Sequence, residues 1–367
     1  MKRLKVAFSA GNPRMQGGIA KHDYFLKSAL MRHIDIYQYS YSARCDNEST
    51  WKKVLSRTQD LHRAYSIMKK CRPDLIHHNT AFDSRSILRD APLAWTARLA
   101  GVPLFLKIHG SRHEALGRVN PFLSWFRSSL LRNARLVGVL SERERQEIAS
   151  CIPNDRIRLC VVKNLIAQEF FDVVRCEAPR PLILFVSRFI RKKGPFDLLD
   201  AVPMVRNEYP TAQFIFGGSG PDVVDFLSEV KSRSLDALVT WVGELDHKAV
   251  RELLSRSWVL VFPTHFPEGM PMVVAEAMAA GVPIVTTRTR FSTSYMQERK
   301  HCLYVDNSSP CSLAQAICTL IGSDGLRNDI SANNRDLAKV FTSNRVVSEY
   351  LSIYSDIMMS REAENPK

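Results

Sequence analysis

The chain has 367 residues, 45% hydrophobic and 24% charged, a balance that excludes a disordered, collagen-like or small disulfide-stapled protein and fits two domains at roughly 150 residues each. Its net charge of +14 is uneven: residues 1–167 hold 29 Lys/Arg against 13 Asp/Glu, a net +16, and residues 168–367 hold 22 against 24, a net −2. No run approaches the roughly 20 apolar residues of a membrane-spanning helix.

The basic N-terminus carries an apolar stretch too short for a secretory signal and soon meets Asn12, Pro13 and Arg14, so a cytoplasmic protein is expected. Strands are expected at 5–11, 34–40, 74–79, 103–110 and 135–141, and in the second half at 182–188, 212–217, 238–244, 258–264, 283–287 and 302–306. Amphipathic helical stretches separate most of them. This rhythm predicts an α/β chain with parallel sheets, and because it occurs twice, two doubly wound domains. The seam is expected within 167–180, which is rich in charge and proline and lacks sustained periodicity. A last helix is expected over 344–358, with Val347, Leu351, Tyr354 and Ile357 on one face, followed by a frayed polar tail from 360. The eight cysteines form no C-x-x-C pair and no cluster with zinc-ligand spacing, and read as reduced thiols.

Two stretches carry chemistry. In the first, an apolar strand ending at Pro263 is followed by a loop with Glu268-Gly269-Met270-Pro271 and then by a helix containing Met272, Val273 and Glu276. Pro271 suits the first helical position and Gly281 a left-handed stop. Ligands of open parallel sheets gather at the carboxyl ends of the strands. Two carboxylates placed there can accept hydrogen bonds from sugar hydroxyls, and the free N–H groups near Met272 and Val273 suit a phosphate. In the second stretch, the strand Leu182-Ile-Leu-Phe-Val delivers Arg188 to its end, and Lys193-Gly194-Pro195 opens the next helix. A guanidinium fork and a mobile ammonium suit a diphosphate.

These stretches resemble the family 4 glycosyltransferases of the GT-B fold, retaining enzymes that use nucleotide-sugars. Glu268 and Glu276 match the family's E-x7-E motif, and Arg188 with Lys193-Gly194 match its G-R-L-x-x-x-K-G segment, Ser187 replacing the usual glycine. Gly217-Gly218-Ser-Gly220-Pro221 resembles the following G-x-G-P turn, 238–245 the strand near the nucleobase, Gly17-Gly18 the glycine pair of the first loop, Ile108-His109-Gly110 an H-G segment, and Val161-Val-Lys-Asn164 the stretch before the hinge. The likeness covers nearly the whole chain. It implies two Rossmann-like domains facing across a cleft: an acceptor-side domain at 1–167, onto which a helix at 343–360 can pack back, and a donor domain at 168–342.

The resemblance also implies roles. Arg188 and Lys193 bind the donor diphosphate and neutralise the leaving group; Glu276 holds the ribose; Glu268 and His109 contact the transferred sugar; Gly18 admits the donor phosphate. Gly218, Glu244, Leu245 and the 269–273 segment complete the donor site. No metal and no cofactor are implied, since the nucleotide-sugar is itself a substrate. The chain departs from the family after the strand at 283–287. There Arg288-Thr-Arg290-Phe-Ser-Thr replaces a glycine-rich segment ending in glutamate, and Leu165 stands where a glycine is usual after Asn164.

The basic first half is expected to face a glycan or lipid-linked acceptor and an anionic membrane surface, peripheral on the inner face of the cytoplasmic membrane. Within it, 121–135 reads as an amphipathic helix, with Phe122, Leu123, Trp125, Phe126 and Leu130 on one face and Arg127, Arg132 and Arg135 flanking or opposing it. The expected product is cell-surface polysaccharide or lipopolysaccharide. Other readings stay open: a sugar-nucleotide epimerase or phosphorylase on the same fold, a catalytically silent relative, or a nucleic-acid-binding protein using the basic half. No RNP, helix-turn-helix or zinc-finger pattern supports the last, and nucleic acid is not expected as a partner.

Overall fold

The computed structural model describes residues 3–9, 18–41, 50–117, 119–152 and 157–364. The chain divides into two units, Met1–Leu165 with Ser343–Lys367, and Ile166–Thr342. Each is built on one six-stranded sheet in which every pairing is parallel.

In the first unit the strands are β1 Lys5–Ser9, β2 Asp35–Tyr39, β3 Leu75–Thr80, β4 Leu104–Ile108, β5 Leu136–Val139 and β6 Leu159–Val161, in the order β2-β1-β3-β4-β5-β6. β4 and β5 are buried at every residue, as a strand covered on both faces must be. Polar residues start the intervening helices. Asp83 forms a capping box with Ser86 before the helix Ser84–Leu99, Asn120 accepts from the Leu123 N–H before Pro121–Asn133, and Ser141 accepts from Glu144 before Glu142–Ser150. The last helix, Ser343–Glu364, belongs to this unit and turns Val346, Val347, Tyr350, Tyr354 and Ile357 inward. Leu351, expected on that stripe, is half-buried, and Tyr350 takes its place.

In the second unit the strands are β7 Leu182–Val186, β8 Gln213–Gly217, β9 Val239–Trp241, β10 Val259–Phe262, β11 Ile284–Thr286 and β12 Leu303–Tyr304, in the order β12-β11-β10-β7-β8-β9. The chain leaves β7 for β8 on one side and returns to β10 on the other, so β7 and β10 flank the point where the strand order reverses, the usual ligand position in such sheets. Phe185, Phe189, Phe196, Phe216 and Phe226 form a buried ring cluster beside β7 and β8, with neighbouring centroids 4.7–5.9 Å apart. The segment expected to form the seam is part of this unit. Phe170 is buried, and the N–H groups of Cys176 and Ala178 bond to the carbonyls of Ser255 and Arg256. All eleven expected strands form; ten are shorter than the expected run, and β3 keeps its length but is shifted by one residue, ending at Thr80. β6 was not expected: it is three residues long and half-buried.

Candidate active site

The site residues of the second unit follow the carboxyl ends of β7, β8, β9 and β10. Beyond β7, the Ser187 N–H bonds to the Gly217 carbonyl, and Arg188 stands exposed. The chain then makes a 3₁₀ turn, Arg191–Lys193, which Gly194 closes at φ 81° before Pro195 starts the next helix. Lys193 reaches across to the loop after β10. Its Nζ lies 5.6 Å from the centroid of Phe262 and 5.1 Å from that of Phe266, and it pairs with Glu268 Oε1, both side chains being half-buried. Thr264 Oγ1 donates to the same carboxylate oxygen at 3.0 Å.

The loop carrying Glu268 is also tied to the turn carrying Lys193 and to the helix that follows it. The His265 N–H donates to the Lys192 carbonyl at 2.8 Å, and its Nε2 lies 2.7 Å from Asp197 Oδ2. Arg290, almost fully buried, donates to the Pro267 carbonyl at 3.2 Å, and the Phe291 N–H bonds to the Glu268 carbonyl at 3.2 Å. The segment that departs from the family pattern therefore fixes the backbone on either side of Glu268. Thr264, His265, Asp197 and Arg290 were not expected at the site. For His265 the only sequence signal was its position between a buried strand and Glu268.

The helix after this loop is Met272–Ala280. Pro271 was expected at its first helical position. Instead it is the cap residue, at φ −69° and ψ 113°, because the chain is still extended as it leaves the loop. No side chain caps this end, and both Val274 and Ala275 bond back to the Pro271 carbonyl. The N–H groups of Met272 and Val273 lie outside the helix's own bonds, a donor pair suited to an anion. From Val274 to Ala280 the helix is buried, Glu276 included, and the small Ala275, Ala279 and Ala280 permit this close fit. Gly281 ends it at φ 71°, as expected. Gly269 and Met270 are buried between Glu268 and this helix. Gly218 follows β8, its carbonyl accepting from Trp241 Nε1 at 3.0 Å, while Leu245 rests against Gly217 and Glu244 is exposed. The structure thus brings Lys193 and Glu268 into contact and sets the other expected donor-site residues of this unit along the same sheet edge.

In the first unit, Gly17 lies outside the described residues and Gly18 opens the helix Gly18–Leu30. His109 follows β4 and is buried, its Nε2 2.8 Å from Asn79 Oδ1 and 3.4 Å from Asp23 Oδ1. Asn79 Oδ1 also meets His77 Nε2 at 3.2 Å, and His77 Nδ1 lies 2.5 Å from the Tyr354 hydroxyl of the last helix. Lys107 is fully buried beside them, its Nζ 2.7 Å from His22 Nε2 and 5.2 Å from the Tyr350 ring centroid. Burial, reinforced by the Lys107 charge, holds the His22, His77 and His109 rings below the usual histidine range. Burial also brings the Lys107 ammonium down to about 7, against the opposing pull of Asp23 and Glu349.

This has a consequence for stability. An unfolded lysine titrates near ~10.4, so above about pH 7 the unfolded chain binds the additional proton and stability rises with pH. The contribution is complete above the unfolded value and is lost as pH falls to 7. We expect the melting temperature of wild type relative to Lys107→Met to climb between about pH 7 and 8.5, below the range where buried thiols and phenols begin to favour the unfolded chain. Calorimetry checks this; parallel pH curves for the two proteins would remove Lys107 as the titrating group.

Two family models match the chain, one described as glycosyl transferases group 1, over residues 167–337, and one as a glycosyl transferase 4-like domain, over 40–164. The chain is 24% identical over 282 residues to the alpha-D-kanosaminyltransferase of Streptomyces kanamyceticus, covering 71% of this chain and 72% of that protein. It is 27% identical over 232 residues to the glycogen synthase of Mycobacterium tuberculosis, covering 59% of this chain but spanning only about half of the synthase, 52%. Its fold is similar to that of Anabaena Alr3699/HepE, crystallised in complex with UDP and glucose, with a TM-score of 0.73 at 17% identity, covering 96% of this chain and 99% of that one. Two parallel α/β sheets and these matches define a class, the glycosyltransferases of the GT-B fold. Within that class the chain belongs to family 4.

Proposed function

We propose that this protein is a retaining glycosyltransferase that moves a sugar from a UDP- or GDP-sugar to a glycan or lipid-linked acceptor, in the synthesis of cell-surface polysaccharide or lipopolysaccharide at the inner face of the cytoplasmic membrane. The observation that carries this reading is the Lys193–Glu268 pair, set beyond β10 and next to a helix N-terminus that no side chain caps. An arriving diphosphate competes for Lys193 and also engages Arg188 and the Met272 and Val273 N–H groups. Glu268 is then released to accept hydrogen bonds from the transferred sugar, and Glu276 takes the ribose hydroxyls. His109, which the resemblance assigns to the transferred sugar, is a neutral ring oriented by Asn79 and Asp23 within the first unit.

In the transfer step the acceptor oxygen forms its bond to the anomeric carbon on the face from which the phosphate oxygen departs. The bonding pair stays on that oxygen, which takes the acceptor's proton. Arg188 and Lys193 offset the charge left on the nucleoside diphosphate, the kind of electrostatic contact worth about 10²–10³ in rate. The UDP and glucose held by the Anabaena protein favour a UDP-sugar, and the excess of Lys/Arg in residues 1–167 favours an anionic membrane. The test is a donor screen by nucleoside diphosphate release, with and without membrane extract. Release that depends on the extract and on one nucleotide-sugar is expected. Consumption of donor without acceptor would point instead to an epimerase, and release that requires orthophosphate to a phosphorylase.

A further inference from the structure

The sequence places five apolar residues of 121–135 on one face, with arginines around it; the structure divides them. Leu123, Leu130 and Leu131 face the core of the first unit. Arg127 turns inward with them and donates to the carbonyls of Ala115 at 2.8 Å and Cys151 at 3.3 Å, so it is not available to a lipid. Arg135 is held by the Ser360 carbonyl at 2.8 Å. What remains outside is aromatic: Phe122 is 64% exposed and Trp125 59%.

These rings continue onto the neighbouring helix Ser84–Leu99. Trp95 meets Trp125 at 5.5 Å and Phe126 at 5.6 Å between centroids, and its Nε1 donates to Ser129 Oγ at 2.6 Å. Leu88, Pro92, Trp95 and Leu99 recur at steps of three and four residues, one stripe of that helix, and Leu99 is 86% exposed. Arg98 reaches Asn133 as Trp95 reaches Ser129, so the two helices run side by side in the same direction. The result is one exposed apolar seam shared by two helices, the kind of surface that marks a docking site.

Charge decides what docks there. Arg85, Arg98 and Arg132 are the exposed charges on the two helices. Their single acid, Asp90, is fully buried against Arg89 and His78. Exposed indole and phenyl rings on two helices whose exposed charges, among the described residues, are all arginines match the headgroup zone of an anionic bilayer, with rings at the acyl boundary and guanidinium groups on the phosphates. A second copy of the chain, joined about a two-fold axis, would set the same arginines against one another.

We propose that the seam formed by Phe122, Trp125, Trp95 and Leu99 is the surface by which this protein inserts into an anionic lipid bilayer; this rests on the membrane reading given above and names the residues that enter. The test is co-sedimentation of the full chain with vesicles of equal phosphatidylcholine and phosphatidylglycerol. Wild type is expected to pellet at low salt and to be released at high salt, its tryptophan emission shifting to the blue when bound. The double variant Phe122→Ser/Trp125→Ser should bind at least about tenfold more weakly, from the apolar area it no longer buries, with its melting temperature and nucleotide response unchanged. Should it unfold, Leu99→Asp repeats the test at a side chain that packs on little, and several-fold weaker binding is expected. Failure of wild type to pellet would end the membrane reading itself. Equal binding by wild type and all variants would leave that reading standing and overturn the seam. A dimer in sedimentation velocity that the double variant abolishes would make a second copy the occupant and also overturn it.

Discussion

UDP or GDP is expected to raise the melting temperature of the wild-type protein, and replacing Lys193 with alanine to abolish that rise and to lower sugar transfer by about 10²–10³, while leaving the melting temperature without nucleotide close to that of wild type. The asymmetry follows from where the ammonium sits. It is half-buried beside Phe262 and Phe266 and pairs with a carboxylate of similar exposure. With its side chains 18% and 15% exposed, the pair lies between surface pairs, worth about 0–1 kcal/mol, and fully buried ones, and Thr264 still bonds to Glu268 when the lysine is gone. A diphosphate bound as proposed, by contrast, would lose one of its two side-chain cations. A ligand at 100 times its dissociation constant stabilises by about 2.7 kcal/mol, and that increment disappears with the affinity. Glu268→Gln separates the two roles. It frees Lys193 from a charged partner, so nucleoside diphosphate should bind as well as before or more tightly, yet transfer should fall because the sugar loses its carboxylate. If both variants weaken nucleotide binding alike, the pair acts only as a structural tie and the division of labour proposed for it is wrong.

What could be read from the residues, and what could not, follows from the range of the interactions involved. Strands such as 182–186 and 259–262 are contiguous apolar runs, and a strand buried on both faces needs nothing else to identify it. β6 offers three half-buried residues at a sheet edge, too few to show a pattern. Glu268 and Glu276 are eight positions apart and were visible as a motif. The contact of Lys193 with Glu268 spans 75 positions and exists because the parallel sheet sets β7 beside β10. The face of the helix Pro121–Asn133 was misread for a different reason. Hydrophobic periodicity counts apolar residues but not the hydrogen bonds that buried carbonyls require, and here the Ala115 carbonyl draws Arg127 inward while two aromatics remain outside. The cluster of His22, His77, Lys107 and His109 comes from three separate segments and the partners of the last helix. Of its members only His109 was read from the sequence, through its H-G segment.

The second large effect is expected at Gly194, which has no functional group to lose. It adopts φ 81°, and a β-carbon placed there would stand 2.3 Å from the Pro263 carbonyl oxygen and 2.7 Å from Pro263 Cγ. An alanine pays for the left-handed conformation, about 1 kcal/mol, and must also push apart two backbone segments that have no flexible side chain to yield. Together these place Gly194→Ala among the severe substitutions, about 3–5 kcal/mol, a fall of roughly 6–20 °C for a unit of this size. The displaced segments are the turn that ends in Lys193 and the strand end that leads to Thr264 and Glu268, so the nucleotide response should vanish as well. Gly325→Ala is the control: it lies in the first turn of the helix Asp324–Ala338 with nothing within 4 Å of the new carbon, and should hold or slightly raise the melting temperature. Lys193→Ala and Gly194→Ala are thus expected to share a functional defect but not a folding defect. The first removes the charge from an intact site and the second moves the site from under the charge. A Gly194→Ala protein that melts like wild type and still answers to UDP or GDP would show that the close approach to Pro263 does not position Lys193.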